Sequence, residues 1–375
     1  MRIRTKASAT LGVVAMLVLS GMSSGGAVGS TQRRRTARWP VSGIFAANAI
    51  YGKYVKGQGE QQFINSAILT NSNVDGIALH VAWSATETSD GVYVWNALDS
   101  LTSQAASAGK TVTLDVIPGW ETPAWIYTEG AQRFNFIWAD SGWGPTFCSV
   151  ATIPAPWDAV YLAKWSAFVK AMGARYDSNP TVVGVKLLGV NSDDEETRLP
   201  YSVNARISNG KTSCVSYDDV TDWQAIGYTR LVVESAWEQI AAVYQVAFPD
   251  KALIAVLNVG GFPPIDDYGN IFVGSYGQDS QVSTDVIAAA VADYGVQFAL
   301  QNDGLLSYGA PWATEVSYAN QITTGYQTVA ALGARLPAAL NSATGVGAEY
   351  LELYTSDLTD ASLQSAIAAA RSALQ

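Results

Sequence analysis

The sequence predicts a single (β/α)8 barrel, and three observations carry that prediction. Short runs rich in β-branched residues alternate with longer helical patterns, as in parallel strands joined by helices. Roughly 340 residues follow the N-terminal segment, an ordinary length for one such barrel. The longest connections all come after predicted strands, which gathers them at the end of the barrel where sites are built.

Eight strands and the helices between them can be placed along the chain. The strands are predicted at 41–47, 76–82, 111–117, 182–190, 252–259, 296–301, 324–330 and 349–354. The helical stretches are predicted at 95–108, 157–176, 223–248, 283–293, 333–343 and 361–374. A doubly wound open sheet is the alternative, and it would leave two sheet edges to protect.

The N-terminus has the pattern of a secretory signal peptide. Basic residues at positions 2, 4 and 6 precede a short apolar run, 9–19, and then a stretch of small residues, 23–30. The apolar run is too short for a spanning helix, so we predict a signal peptide over 1–30, with a membrane anchor as the alternative. Residues 31–40 are predicted as a flexible linker before one catalytic domain, 41–375. We expect a secreted, extracellular monomer with no membrane contact in its mature form.

Composition excludes several classes of partner and cofactor. The formal net charge of −10 argues against nucleic acid and anionic membranes as partners. The 12 Trp and 18 Tyr residues provide aromatic faces of the kind that stack on sugars. A single histidine, His80, excludes a multi-histidine zinc site, and no glycine-rich phosphate-binding motif follows a strand. We therefore expect no metal and no cofactor.

The two cysteines and one lysine are each expected to have a partner inside the protein. Cys148 and Cys214 are the only cysteines, and in an exported protein they predict a disulfide between two long loops, with free thiols as the alternative. Lys186 falls inside a predicted strand, where a lysine should pair with a carboxylate or direct its ammonium toward the barrel end.

The last predicted strand carries a carboxylate on its inner face. Leu351 and Leu353 share one face of this strand, and Tyr350 and Glu352 share the other, because strand side chains alternate. If the leucines pack against helices, Glu352 points into the barrel. A buried carboxylate is costly unless it is hydrogen-bonded or functional, so Glu352 is a candidate site residue.

The segment 76–125, GIALHVAWSATETSDGVYVWNALDSLTSQAASAGKTVTLDVIPGWETPAW, resembles strands two and three of the clan A glycoside hydrolases. The segment 174–191, ARYDSNPTVVGVKLLGVN, resembles the approach to strand four of the same clan. The resemblance implies a (β/α)8 barrel that hydrolyses O-glycosidic bonds of an oligosaccharide or polysaccharide without a cofactor. Two carboxyl groups would do this chemistry, with retention at the anomeric carbon.

In that clan the acid/base is a Glu after an Asn at the end of strand four. Asn191 matches the Asn, but Ser192 follows it, and carboxylates come only at 193–196. The resemblance thus implies a displaced acid/base, and we select Glu196, with Glu195 as the alternative. Mutual repulsion among four carboxylates would raise a pKa, as a general acid requires. A solvated acidic loop or an oxygen-ligated cation site is the other interpretation.

The clan's nucleophile is a Glu at the end of strand seven, where this chain has Gln327. An amide cannot be the nucleophile, so Glu352, one strand later, is predicted as the second catalytic carboxylate. Two other functions stay open: a catalytically inactive carbohydrate-binding barrel, and an oxygen-ligated metal hydrolase. Polar and aromatic residues at strand ends suit sugar binding, and the substrate-binding candidates are Trp83, Trp120, Glu121, Trp125, Asn191, Asn258, Gln301, Asn302 and Gln327.

Overall fold

Eight parallel strands close into a barrel in the computed structural model, as the sequence predicts. In chain order they are β1 Gly43–Ala47, β2 Gly76–Ala82, β3 Thr111–Ile117, β4 Val182–Lys186, β5 Ala252–Val256, β6 Phe298–Leu305, β7 Thr323–Thr328 and β8 Tyr350–Tyr354. The structure describes residues 41–55, 59–139, 144–203, 206–258, 260–274, 277–306, 313–319 and 321–374. The predicted signal peptide and linker lie outside these ranges, as does position 259 at the end of the predicted fifth strand.

The strands sort their side chains between the barrel interior and the helices. Tyr350 of β8 belongs to a compact interior cluster, whereas Leu351 and Leu353 belong to the larger core outside the strands. Glu352 is fully buried on the same face as Tyr350. The alternation predicted for this strand is therefore confirmed. The other members of the interior cluster are Val41, Phe45, Ala252, Ile254 and Ala299.

In the part of the chain that the structure describes, six longer helices cover the barrel: α1 Asn96–Ser107, α2 Ala159–Tyr176, α3 Arg230–Ala247, α4 Gln281–Tyr294, α5 Leu336–Gly345 and α6 Gln364–Ala373. The prediction of one continuous helix over 223–248 is wrong. A short helix, Asp219–Ala225, ends before Gly227, whose φ of 92° no helix accommodates. Thr229 then caps α3 by accepting a hydrogen bond from the Val232 amide at 3.1 Å.

Short elements decorate the connections. Within the described residues there are four antiparallel two-stranded sheets, none of them predicted. They pair Ile50–Val55 with Gly59–Ile64, Glu87–Ser89 with Val92–Tyr93, Arg133–Ile137 with Val150–Pro154, and Arg206–Ser208 with Ser213–Val215. Further short helices are Ser66–Thr70, Trp83–Thr86, Ala124–Thr128, Ala313–Tyr318 and Thr355–Thr359. Single 3-10 turns occur at Gly119–Glu121, Gly295–Gln297, Gly333–Arg335 and Ala361–Leu363.

A disulfide joins Cys148 to Cys214. The bond links the connection after β3 to the connection after β4, two long loops at the same end of the barrel. Within the described ranges, no helix combines the length and the apolar character needed to cross a bilayer.

Candidate active site

A cavity of about 760 Å³ opens at the carboxyl ends of the barrel strands. Its walls come from the ends of β1, β2, β3, β6, β7 and β8 and from the segment after β4. This is the end of a (β/α)8 barrel where catalytic groups from different strands converge. The lining residues are Asn48, His80, Val81, Ala82, Ile117, Trp120, Glu121, Asp193, Asp194, Glu195, Glu196, Arg198, Asp303, Gln327, Val329 and Tyr354.

On one wall, three carboxyl groups share a single guanidinium. Arg198 Nη2 lies 2.8 Å from Asp193 Oδ2 and 2.9 Å from Asp194 Oδ2, and its Nη1 lies 2.9 Å from Glu196 Oε2. Asn258 donates a side-chain hydrogen bond to the other oxygen of Glu196. Burial and repulsion from neighbouring carboxylates raise the pKa of Asp194 and of Glu196, with Arg198 opposing both shifts.

A lysine ammonium occupies the centre of the barrel. Lys186 Nζ lies 3.0 Å from Glu352 Oε2, 3.3 Å from Asp115 Oδ2 and 3.7 Å from Glu195 Oε1. Lys186, Asp115 and Glu352 are fully buried. Burial alone would lower the pKa of Lys186, but the surrounding carboxylates raise it well above its ordinary value. The predicted pairing of Lys186 with a carboxylate is confirmed, and the ammonium stays charged.

His80 adds a second positive charge beside Glu195. Its Nε2 lies 2.6 Å from Asp115 Oδ2 and 3.7 Å from Glu195 Oε1. Burial opposes protonation, but Asp115 and Glu195 outweigh it and raise the pKa of His80 to about 9. Burial likewise works to raise the pKa of Asp115, yet His80 and Lys186 hold it below its usual range. At neutral pH the cavity floor therefore holds an imidazolium and an ammonium on either side of carboxylates.

Asp303 projects from β6 into the cavity in a different environment. Gln301 Nε2 donates to its Oδ1 at 2.8 Å, and Gln327 Nε2 donates to its Oδ2 at 3.2 Å. These two amides fix the orientation of the carboxyl group. Burial raises the pKa of Asp303 well above its ordinary value, and the charge of Glu195 raises it further.

Glu352 does not line the cavity, although the sequence predicted it as the second catalytic carboxylate. It is fully buried, and besides Lys186 it accepts a hydrogen bond from Gln301 Nε2 at 3.1 Å. The physical reason is the buried ammonium, which needs a carboxylate counterion inside the barrel. Glu196, the other predicted catalytic residue, does line the cavity.

Three of the predicted substrate-binding residues lie on the cavity wall: Trp120, Glu121 and Gln327. Trp120 Nε1 donates to the Asp193 carbonyl at 3.0 Å, which holds the indole against the acidic segment. Glu121 accepts a long hydrogen bond, 3.4 Å, from Ser84 Oγ, and burial raises its pKa.

The two other predicted tryptophans belong to the core instead. Trp83 is fully buried, donates to Glu87 Oε2 at 2.8 Å and packs with its ring centroid 4.8 Å from that of Trp165. Trp125 packs edge-on against Trp83 and donates to the Glu87 carbonyl at 3.2 Å. Because β2 ends at Ala82, Trp83 begins a short helix and turns toward the outer layer.

The four predicted amides outside the cavity wall support it from behind. Asn191 donates to the Asp194 carbonyl at 2.9 Å and so shapes the acidic segment. Asn258 holds Glu196, and Gln301 joins Asp303, Glu352 and the Tyr350 hydroxyl. Asn302 is fully buried and accepts from the Gly304 amide at 2.8 Å. None of the four lines the cavity.

His80, Asp115 and Glu195 form the one group in the described residues with donor atoms close enough to hold a metal ion, all within 4.8 Å. The donor set does not suit a cation, because the Lys186 ammonium already lies 3.3 and 3.7 Å from the two carboxylates. A protonated imidazole also has no lone pair to offer. The carboxylates of this group are therefore paired with protein cations.

Several solved structures are similar to this fold. The catalytic domain of a β-amylase from Paenibacillus polymyxa matches with a TM-score of 0.52 and 12% identity over 83% of this chain and 91% of its own. A β-galactosidase from Rahnella sp. R3 matches with a TM-score of 0.47 and 12% identity, over 82% of this chain and 53% of its own. A protein described as a glycoside hydrolase matches with a TM-score of 0.44 and 10% identity, over 84% and 88%.

At such identities the likeness concerns the fold alone, and the β-amylase match supports the (β/α)8 barrel. This agrees with the resemblance that the sequence motifs indicate. No protein-family model and no curated protein sequence matches the chain.

Arg198 and Asp303 line the cavity wall but are not among the site residues that the sequence predicted. Arg198 follows the acidic segment directly, and a cation beside four consecutive carboxylates was the available signal. Asp303 stands two residues after Gln301 in the same strand, so the alternation of strand side chains gives both the same inward direction. Its proximity to Glu195, across two strands, has no sequence signal.

Proposed function

We propose that this protein is a glycoside hydrolase that cleaves O-glycosidic bonds of an oligosaccharide or polysaccharide with a pair of carboxyl groups. The observation that carries the proposal is the contrast between Glu195 and Asp303 on one cavity. Glu195 lies beside His80 and Lys186, whereas the side-chain contacts of Asp303 are two neutral amides. Opposite environments for two carboxyl groups in one cavity are what acid and base roles require.

The roles follow from these environments. Asp303, whose pKa burial raises, is the general acid, and Glu195, whose Oε1 lies 3.7 Å from both His80 Nε2 and Lys186 Nζ, is the nucleophile. Glu196 was the predicted acid and its pKa is also raised, but its Oε2 is ion-paired with Arg198 at 2.9 Å, whereas Asp303 is held by two neutral amides. We therefore assign the transferred proton to Asp303. Glu352 has the separate task of neutralising Lys186.

The proposed reaction has two steps at the anomeric carbon. Asp303 gives its proton to the glycosidic oxygen as the C–O bond breaks, and a Glu195 oxygen forms a bond to the anomeric carbon. Water then attacks that carbon, Asp303 takes a proton from the water, and Glu195 leaves as a carboxylate. Retention at the anomeric carbon is implied by the clan A resemblance. NMR detection of the first-formed anomer tests it, and inversion would require that Glu195 activate water instead.

A panel of aryl glycosides provides the primary test. Turnover by the wild type is expected, and Glu195→Gln and Asp303→Asn should each lower kcat/KM by about 10²–10⁴-fold. Glu349→Gln is the matched control, because Glu349 is a half-buried carboxylate at the opposite end of β8 and its bond from Thr323 Oγ1 survives in the amide. Unchanged rates in either site variant would remove that residue from the mechanism.

Leaving-group dependence separates the two roles. Asp303→Ala should lose far more activity toward a poor leaving group than toward dinitrophenolate, which leaves without protonation. Glu195→Ala should regain turnover with azide, which replaces the missing nucleophile and yields a glycosyl azide. The reverse pattern would exchange the assignments.

A carbohydrate-binding barrel without catalysis is the second candidate, and one observation favours it. Gln327 stands where the clan's nucleophile is expected, and the nearest strand carboxylate, Glu352, is engaged with Lys186. Calorimetric sugar binding by a wild type that turns over no glycoside in the panel would establish this function and overturn the first.

Export is part of the same proposal. The basic, apolar and small-residue pattern of segment 1–30 supports secretion of the mature chain. N-terminal sequencing of protein recovered from the culture medium should find a chain that begins near residue 31. Full-length protein retained in the cell pellet would count against export.

A further inference from the structure

The cavity wall carries a marked excess of carboxyl groups. Six carboxyl side chains line it, against the two cationic side chains of His80 and Arg198. Lys186 adds a charge behind the wall but also serves the buried Asp115 and Glu352. Besides Asp303, which has the role of the acid, five carboxyl groups share the two cations. The six carboxyl residues are Glu121, Asp193, Asp194, Glu195, Glu196 and Asp303.

The excess is concentrated on the side of Trp120. Arg198 divides its single charge among Asp193, Asp194 and Glu196. Glu121, the neighbour of Trp120, has no ion pair with any described residue and accepts a long hydrogen bond, 3.4 Å, from the Ser84 hydroxyl. This part of the cavity has an aromatic ring, several acceptors and too little positive charge.

An independent observation points to a missing hydrogen-bond donor. Gln327 is 7% exposed and lines the cavity, yet its Oε1 has no hydrogen-bond partner in the described structure. Its Nε2 is already engaged with Asp303, so the orphan atom is a pure acceptor. A buried acceptor without a partner is uncommon and costs free energy, so a ligand that supplies a donor would relieve it.

We infer that the sugar bound here is an amino sugar with a protonated amine, an inference that rests on the proposed function and names its substrate class. An ammonium group offers three donors, no acceptor and one positive charge, which is what the wall lacks. A neutral sugar hydroxyl can donate to the carboxylates but cannot offset their charge. The chain's net charge of −10 also favours approach of a cationic polymer.

The test compares oligosaccharides that differ only at carbon 2. Tetrasaccharides of glucosamine, N-acetylglucosamine and glucose share one β-1,4 backbone, and the corresponding galacto series covers the other common configuration. Calorimetry at a slightly acidic pH should give at least about tenfold tighter binding of one amino series than of its neutral counterparts. Added salt should weaken this preference, because the attraction is between charges.

Glu121→Gln locates the effect. This variant should reduce binding of the amino tetrasaccharide more than binding of its N-acetyl counterpart, whereas Glu349→Gln should change neither. Equal affinity for charged and neutral tetrasaccharides, or no binding of either amino series, would overturn the inference. Calcium chloride titrated alone should give no saturable heat, and a calcium ion that displaced the amino sugar would reassign the acidic wall to a metal.

The outcome is separable from that of the proposed function, because the binding assays need no turnover. Selective amino-sugar binding without hydrolysis would retain this inference and reject the hydrolase. Hydrolysis of neutral glycosides, with no preference for amino sugars in the binding assays, would support the hydrolase and reject this inference.

Discussion

Two groups of charged residues in this barrel differ in how deeply they are buried. The Lys186 centre consists of Lys186, Asp115, Glu352, Glu195 and His80, with ion-pair distances from 2.6 to 3.7 Å. The Arg198 cluster consists of Arg198, Asp193, Asp194 and Glu196, all on the cavity wall. Lysine and two carboxylates of the centre are fully shielded from solvent, whereas the Arg198 side chain is 37% exposed.

The difference shows what burial permits. In the Lys186 centre, the two fully buried carboxylates, Asp115 and Glu352, are matched by two cations, because an unpaired charge inside the barrel would be prohibitively costly. In the Arg198 cluster, three carboxylates share one guanidinium, and solvent or a ligand can screen the remaining charge. The centre therefore places two cations beside Glu195, and the cluster has carboxyl groups in excess of its one cation, which a ligand can use.

Loss of the central cation should have the largest effect. Lys186→Met leaves Asp115 and Glu352 buried without their ammonium, and we expect a loss of about 3–5 kcal/mol in the free energy of unfolding. Denaturant unfolding followed by fluorescence measures this.

The double variant Lys186→Met with Glu352→Gln is the control. Removal of both charges should restore part of the lost stability, because the amide needs no counterion. If the double variant is as unstable as the single one, the loss comes from packing rather than from an unpaired charge.

The charge on His80 should make stability depend on pH. Its pKa is about 9 in the fold, against 6.5 as an ordinary value, so its contribution is fully present below pH 6.5 and is lost as pH rises through 9. We expect a contribution on the order of 3 kcal/mol. The stability gap between wild type and His80→Gln should narrow across that window.

NMR can check the cause of this shift directly, since His80 is the only histidine in the chain. Its single imidazole signal should titrate near pH 9, and Glu195→Gln should move the midpoint toward 6.5 because one of the two raising charges is lost. A midpoint near 6.5 in the wild type would mean that the Lys186 centre does not hold an imidazolium.

The same contrast explains how much the sequence could predict. Lys186 in an apolar strand predicts a buried pair, and the alternation in β8 predicts an inward Glu352, because both depend on local periodicity. Lys186 and Glu352 are 166 positions apart in the chain, and they meet only because the barrel closes. No local sequence pattern predicts that contact. The bounds of β2 and β3 matched the prediction because both strands are regular. Trp83 was misplaced because a residue at a strand end can turn toward either layer.

Removal of Arg198 from the cavity wall should have the smallest effect on stability. Its dependence on salt should distinguish it from the removal of Lys186. Arg198→Ala removes a partly exposed guanidinium, so we expect a loss of about 1 kcal/mol or less, smaller still in high salt. Lys186→Met should keep its full cost in salt, because buried charges are not screened. Unfolding of both variants at low and high ionic strength makes the comparison. If Arg198→Ala lowers the free energy of unfolding as much as Lys186→Met does, and equally at low and high salt, then both groups act as buried ion pairs. The cavity wall would then have no free negative charge for a ligand.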